Sequence, residues 1–199
     1  DELQIHRYEQ EDVSAADLLG TFARQATQKG AEAVVLTGRP HLLQLISDSC
    51  RVILVKTTGG VADSQVYTRE NVLAQYQMEP ADVIQLLAFV PDEDMPLPVN
   101  NLIGTGTAGK LLKEYGSVAD IYGHLDNDIE SVRLKESLRS SEKAVYKRLE
   151  ALKIRTDVST EIDIMKTGML QDITEKIPEI LHDLGYRKSA GKMKKVTSQ

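Results

Sequence analysis

Two short apolar runs, Ala33-Val34-Val35-Leu36-Thr37 and Val52-Ile53-Leu54-Val55, constrain this chain more than any other feature. Neither alternates polar with apolar residues, so each predicts a strand enclosed on both faces, as in parallel sheets. Between them Gly38 turns the chain, Pro40 suits a first helical position, and His41 to Ser47 predicts a short helix. Ahead of them, Asp12 to Ala26 predicts an amphipathic helix that Lys29-Gly30 stops. Ser14 with Asp17 resembles a capping box there, and Leu18, Leu19, Phe22 and Ala26 make the apolar stripe. Helix, strand, helix, strand is a βαβ layout, which places the front of the chain in an α/β sheet. Gly59-Gly60 then opens a turn, and Gln65-Val66-Tyr67 returns as an edge strand. Two or three strands are too few for an independent doubly wound sheet. Completion is therefore expected from strands preceding Asp1 or from a partner chain.

Strand signals stop after Tyr67. Thr68 caps a helix through Tyr76, and Pro80 starts another carrying Val83, Leu86 and Leu87. Pro91 to Asn101 is a proline-bearing acidic loop with Asp92, Glu93 and Asp94. Ser117 caps a short helix through Leu125. Asp128 to Leu152 reads as a long charged helix with a thin stripe of Val132, Leu138, Val145, Leu149 and Leu152. Pro178 opens a last helix ending at Leu184-Gly185. The tail from Arg187 to Lys195 is basic, with little that can pack, and is read as disordered. It is either an electrostatic contact for a polyanion or a solubilising tail.

Within the helical half, VNNLIGTGTAGKLLKEY (Val99 to Tyr115) joins a glycine-bearing turn, Ile103-Gly104-Thr105-Gly106, to a helical pattern of Ala108, Leu111, Leu112 and Tyr115. The first amides of a helix lack internal partners and carry partial positive charge, so such a turn can hold a phosphate. Lys110 and Lys113 follow one turn on, within reach of further phosphates. A helical hairpin with a glycine cap and solvated lysines fits the same spacing.

Composition narrows the classes. In 199 residues, 41% hydrophobic content suffices for a core, and a net charge of −6 argues against a general nucleic-acid coat. Any contact with nucleic acid must use a local basic surface. No apolar run is long enough to span a bilayer, so no membrane partner is expected. The single Cys50 excludes an internal disulfide framework and fits an intracellular, reducing compartment. With only scattered histidines beside it, it builds no metal cluster of usual spacing. The front, Asp1-Glu2-Leu3-Gln4, lacks a start methionine and a signal pattern, and reads as trimmed or processed.

Nearly the whole chain resembles one family. The runs SAADLLGTFARQATQKGAEAVVLTGRPHLLQLISD, VYTRENVLAQYQMEPADVIQLLAFV, PVNNLIGTGTAGKLLKEYGSVADIYGHLD and LKIRTDVSTEID resemble, in order and spacing, the second half of a 5′ nuclease domain. That domain stands at the front of bacterial DNA polymerase I and is related to phage 5′ exonucleases and flap endonucleases. The resemblance implies an incomplete parallel sheet with flanking helices, followed by an all-helical helix–three-turn–helix (helix-hairpin-helix) region that grips duplex DNA by its phosphates. It divides the chain into a sheet part (1–67), a helical DNA-binding region (68–185) and the basic tail (186–199). Gly104, Thr105, Gly106, Thr107, Lys110 and Lys113 are the implied nucleic-acid contacts. Leu102 replaces the first glycine of the family's hairpin. In the family, backbone carbonyls of this element also hold a monovalent cation, and sheet carboxylates hold two divalent ions for phosphodiester hydrolysis.

The carboxylates are where the chain departs. Magnesium-type ions need several anionic oxygens to sit beside an anionic substrate. The family's Glu-Ala-Asp-Asp at the head of the first helix falls on Ser14-Ala15-Ala16-Asp17, and its Asp-Lys-Asp after the strand on Arg39-Pro40-His41. Its later Asp-x-x-Asp falls on Asp92 and Met95. Only Asp17 and Asp92 keep an acid, as catalytic remnants and the only candidate metal ligands. Arg39 puts a permanent cation where one should bind. His41, beside it and without carboxylate support, reads as a capping or packing residue. Tyr8-Glu9-Gln10-Glu11-Asp12-Val13 offers an alternative register that restores acids. It needs more than a full turn inserted in the first helix, which would rotate its apolar stripe off the sheet.

The expectation is a degenerate 5′ nuclease-like domain of DNA replication or repair, catalytically impaired (a pseudoenzyme), that binds duplex or flap DNA, or RNA, or scaffolds an assembly. The alternatives are an active Mg2+- or Mn2+-dependent 5′-3′ exonuclease or flap endonuclease using Glu9, Glu11, Asp12 and Asp92 with acids from a segment expected before Asp1, and a purely structural subunit.

Overall fold

The computed structural model describes residues 7–58, 61–91 and 103–160. Asp92, Met95, Leu102, the helix expected from Pro178 and the basic tail lie outside the described residues. Chain contacts define one unit of Val13–Thr160 and another of Asp1–Asp12 with Glu161–Gln199. In the latter, Arg7 and Glu9 form an exposed ion pair, and Asp12 takes a left-handed φ of 58°.

Helix α1 (Ala15–Gln28) begins where Ser14 accepts a hydrogen bond from the Asp17 N–H at 3.0 Å. It starts later than the sequence pattern suggests, and its buried face is Asp17, Leu18, Gly20, Thr21 and Ala23. Leu19, Phe22 and Ala26 lie at the margin of that face, half-buried. The helix ends with Lys29 as its cap, followed by Gly30 at φ 79°. Strand β1 (Ala33–Thr37) pairs in parallel with β2 (Cys50–Thr58), with Ala33 opposite Cys50 and Thr37 opposite Leu54. The short helix expected in the link between them is a 3-10 helix over Pro40–Leu45, with Leu42 and Leu43 buried. Strand β3 (Val61–Tyr67) returns antiparallel on β2, so the sheet is mixed, in the order β1-β2-β3.

Burial on both faces, expected from the unbroken apolar runs, holds for one face only. Ala33, Val35, Val52, Leu54 and Tyr67 are covered, whereas Val34, Leu36 and Val66 are 48%, 65% and 48% exposed on the other face. The sequence is written for two covered faces, and the described residues cover one.

Helix α2 (Arg69–Tyr76) opens on Thr68, whose N–H donates to Asn71 Oδ1 at 2.8 Å. A 3-10 turn at Pro80–Asp82 leads into α3 (Val83–Ala88), followed later by α4 (Thr105–Tyr115) and α5 (Val118–Gly123). Ser117 caps α5 by accepting from the Asp120 N–H at 3.1 Å. Helix α6 (Val132–Leu152) starts four residues after the expected Asp128, because Ser131 supplies the cap, accepting from the Leu134 N–H. Its stripe is corrected too. Val132 is exposed, and the buried face mixes Leu138, Val145 and Leu152 with Ser137, Ser141 and Arg148. Ser141 Oγ donates to the Ser137 carbonyl at 2.8 Å, so the hydroxyl is satisfied inside the helix.

Two apolar clusters result, one under the sheet around Leu42, Leu43, Val52 and Tyr67, the other among the helices around Phe89, Ile121, Leu138 and Val145. Tyr76 and Met78 pack against both. No described helix is long and apolar enough to cross a membrane.

After α6 the chain returns along α1 as a strap. Val158 N–H donates to Thr21 Oγ1 at 3.2 Å. Gln44 joins in, donating to the Leu152 carbonyl at 2.8 Å and accepting from the Ile154 N–H at 3.3 Å. Gly20 lets the strap come close, since a Cβ there would stand 2.5 Å from Ile154 Cγ2.

Candidate functional site

The glycine stretch folds as its spacing suggests, with one shift. Gly104 is the N-cap of α4, so Gly106 lies inside the first turn rather than in a loop before it. Ala108, Leu111 and Leu112 are buried and Tyr115 packs beside them. The opposite side carries Gly104, Thr105, Gly106, Lys110 and Lys113, all exposed, with Thr107 half-buried at its margin. The Ala108 N–H is bonded back to the Gly104 carbonyl at 3.0 Å, and the amides of Thr105, Gly106 and Thr107 precede the first complete helical bond.

Gly109, which sequence reasoning passed over, belongs to the same side. A Cβ at Gly104, Gly106 or Gly109 would meet nothing within 4 Å. A glycine inside a helix costs about 1 kcal/mol against alanine. Packing among the described residues does not require it at position 109, so the bare backbone has no structural return among them. The signal was legible: two glycines three apart on a face that also presents two lysines. A hollow of about 510 Å3 adjoins this face, lined among others by Gln77, Asp82, Gln85, Thr105, Gly106, Gly109 and Lys113. Lys113 Nζ reaches Gln77 Oε1 at 3.3 Å, and Asp82 is an acid in the wall.

The second site lies at the end of β1. A hollow of about 1280 Å3 is bounded by Ser14, Ala16 and Asp17 of the α1 head, Thr37 to Arg39 with His41, and Glu150, Lys153 and Arg155. The resemblance places a metal-binding carboxylate set here. Asp17 is 7% exposed, and its oxygens are taken: the Arg155 N–H donates to Oδ1 at 2.8 Å, and Arg155 Nε and Nη2 donate to Oδ2 at 3.1 and 2.9 Å. Burial pushes the Asp17 carboxyl up; the Arg155 amide and guanidinium outweigh burial and hold it below its ordinary range. The acid expected as a ligand is thus a clamp between helix and strap. Among the described residues no three His, Cys, Asp or Glu side chains are grouped to hold a metal ion. Glu9, Glu11 and Asp12 precede α1 and are exposed. With Asp17 engaged by Arg155 and Arg39 in the wall, the donors described here do not fit a divalent cation.

The depressed carboxyl has a pH signature. A group whose folded pKa lies below its unfolded value of about 3.9 adds stability above that value and loses it as pH falls through the folded one. Asp17→Asn is expected to cost about 1–2 kcal/mol at pH 7. The gap between variant and wild type should narrow as pH falls below about 4, and be smaller at pH 3 than at pH 7 in urea melts.

No family model matches the chain. It is 30% identical over 196 residues to DNA polymerase I of Bacillus caldotenax, covering 98% of this chain and 22% of that protein. To the Bacillus subtilis DNA polymerase I it is 31% identical over 186 residues, covering 94% and 21%. The chain thus spans about a fifth of the length of these curated relatives. Among solved structures, the phage T5 5′-exonuclease with bound zinc matches with a TM-score of 0.61 at 16% identity, over 94% of this chain and 62% of that one. A T5 D15 flap endonuclease in a pseudo-enzyme–product complex with DNA and metal ions matches at 0.60 and 14% identity. These two likenesses establish the fold.

Proposed function

We propose that this chain, a homologue of part of bacterial DNA polymerase I, belongs to a 5′-3′ exonuclease domain and binds duplex or flap DNA through α4 without an effective two-metal hydrolytic site. The observation that carries the binding is the side of α4 where Gly106 and Gly109 bare the backbone beside Lys110 and Lys113. Bare amides and lysines suit phosphate oxygens, and such contacts position a duplex without reading its sequence. The pairing of Asp17 with Arg155, and Arg39 and His41 in place of acids, support the catalytic half of the proposal.

In the chain's natural setting further polypeptide completes the sheet. The open face of Val34, Leu36 and Val66, with β1 at the sheet edge, supports this. The setting is intracellular and reducing, consistent with the buried free thiol of Cys50.

The test uses the glycine that packing does not explain. Gly109→Ala should raise stability by about 0.5–1 kcal/mol, since the helix gains propensity and nothing is struck. It should at the same time weaken binding to nicked or flap duplex, because the methyl stands where the phosphate backbone approaches. Greater stability with unchanged affinity removes α4 from the interface and favours a purely structural role.

A further inference from the structure

The hollow at the end of β1 carries charge of the sign opposite to the chain's. Across the whole sequence the net charge is −6. Around the hollow stand Arg39, Lys153 and Arg155 against Asp17 and Glu150, with His41 beside them. Among the described lining residues, with His41 neutral, the balance is positive by one.

Geometry sharpens that balance. In the Asp17–Arg155 pair the carboxylate is the inner member, its side chain 10% exposed, while the Arg155 side chain is 60% exposed. Buried carboxylate and outward guanidinium present a cation to the cavity. Glu150 pairs with Lys153 at 2.5 Å at the end of α6, so the charges of that pair cancel and the net positive charge of the wall rests with Arg39. The head of α1 adds only Ser14 and the methyls of Ala15 and Ala16 before Asp17. Two arginines, Arg39 after β1 and Arg155 on the strap, line the same cavity. Planar forks of N–H donors are matched to phosphate oxygens and stay charged at any working pH.

We propose that this pocket binds a phosphate monoester directly, without a divalent ion, with Arg39, Arg155 and Lys153 as its charged contacts. A nucleic-acid 5′-terminal phosphate and free phosphate share this chemistry. The site is independent of α4: α4 meets internal phosphates of a duplex, and the pocket meets one terminal group. Arg155 also holds Asp17, so it is a poor choice for substitution. Arg39 and Lys153 stand outside that clamp.

The test measures binding of the full chain to short single-stranded oligonucleotides, 5′-phosphorylated or 5′-hydroxyl, in EDTA at fixed salt. Wild type should prefer the phosphorylated strand about tenfold, and inorganic phosphate should compete that preference away. Competition at the oligonucleotide's own concentration assigns the pocket to free phosphate; competition only at far higher concentration assigns it to a strand end. Either result supports the site. Arg39→Gln and Lys153→Gln should erase the preference with thermal unfolding unchanged, leaving affinity for 5′-hydroxyl duplex intact. Lys110→Glu should weaken duplex binding whichever group ends the 5′ strand, so failure of the α4 reading remains separable. Equal affinity for the two ends overturns the proposal. So does a preference that persists in Arg39→Gln or that needs added magnesium.

Discussion

Charge reversal at Lys110 and Lys113 together is expected to lower affinity for nicked or flap duplex about a hundredfold near 0.1 M salt. The two residues lie three apart on the exposed side of α4, clear of the buried Ala108, Leu111 and Leu112. Each phosphate neutralised by a lysine releases condensed counterion, and the dependence of log affinity on log salt changes by about 0.9 per contact. Losing both should flatten that slope by about 2, and the added negative charges should repel the strand further. Thermal unfolding should barely move, because Lys110 makes no described ion pair and Lys113 gives up only an exposed contact to Gln77. An unchanged salt slope in the double variant would show that DNA, if bound, is held elsewhere.

Arg148→Ala is expected to cost about 3–4 kcal/mol of stability, more than any surface change. Arg148 is 3% exposed and leaves α6 to close the end of α3. Its Nε donates to the Ala88 carbonyl at 3.2 Å and its Nη2 to Leu87 at 3.1 Å, with Val90 as a further acceptor. The Leu87 and Ala88 carbonyls belong to the last turn of α3 and Val90 lies two residues past it, where helical donors run out, although Leu87 also accepts from the Val90 N–H at 3.1 Å. They also form the negative end of the helix dipole, so a cation there is favourable. Truncation takes the guanidinium away from the Ala88 and Val90 carbonyls, leaves Leu87 only its bond from the Val90 N–H, and opens a void the size of the arginine stem. Arg148→Lys should recover only part of the loss, because an ammonium cannot serve divergent acceptors as the fork does. Chemical denaturation at neutral pH gives the value directly. A cost under about 1 kcal/mol would mean that water replaces the guanidinium there without penalty.

What the sequence made legible is what local chemistry decides. The apolar runs gave β1 and β2, and Ser14, Thr68 and Ser117 marked helix starts because a short oxygen-bearing side chain before a periodic stretch has one economical use. The buried side of α4 followed from four residues at helical spacing. What stayed hidden depends on partners far along the chain. Asp17 reads as a ligand or a cap until Arg155, 138 positions away, is seen to occupy it. Apolar periodicity assigns Val132 to the α6 stripe, where it is exposed, and cannot register a buried Arg148 that donates to carbonyls at the end of α3. Gly20 gave no sign of its role, since close approach by Ile154 exists only once the strap has returned. The open sheet face reverses the pattern: there the residues expect a cover that the described part of the fold does not contain.

One experiment bears on the central claim more directly than the rest. Full-chain protein is incubated with 5′-flap DNA in magnesium and, separately, manganese, with binding and cleavage scored on the same samples and Asp92→Ala alongside. Since Asp17 is closed by Arg155 and Arg39 lines the same hollow, the expected result is salt-sensitive binding with no cleavage above the protein-free control. Metal-dependent release of the flap that Asp92→Ala abolishes would contradict the account.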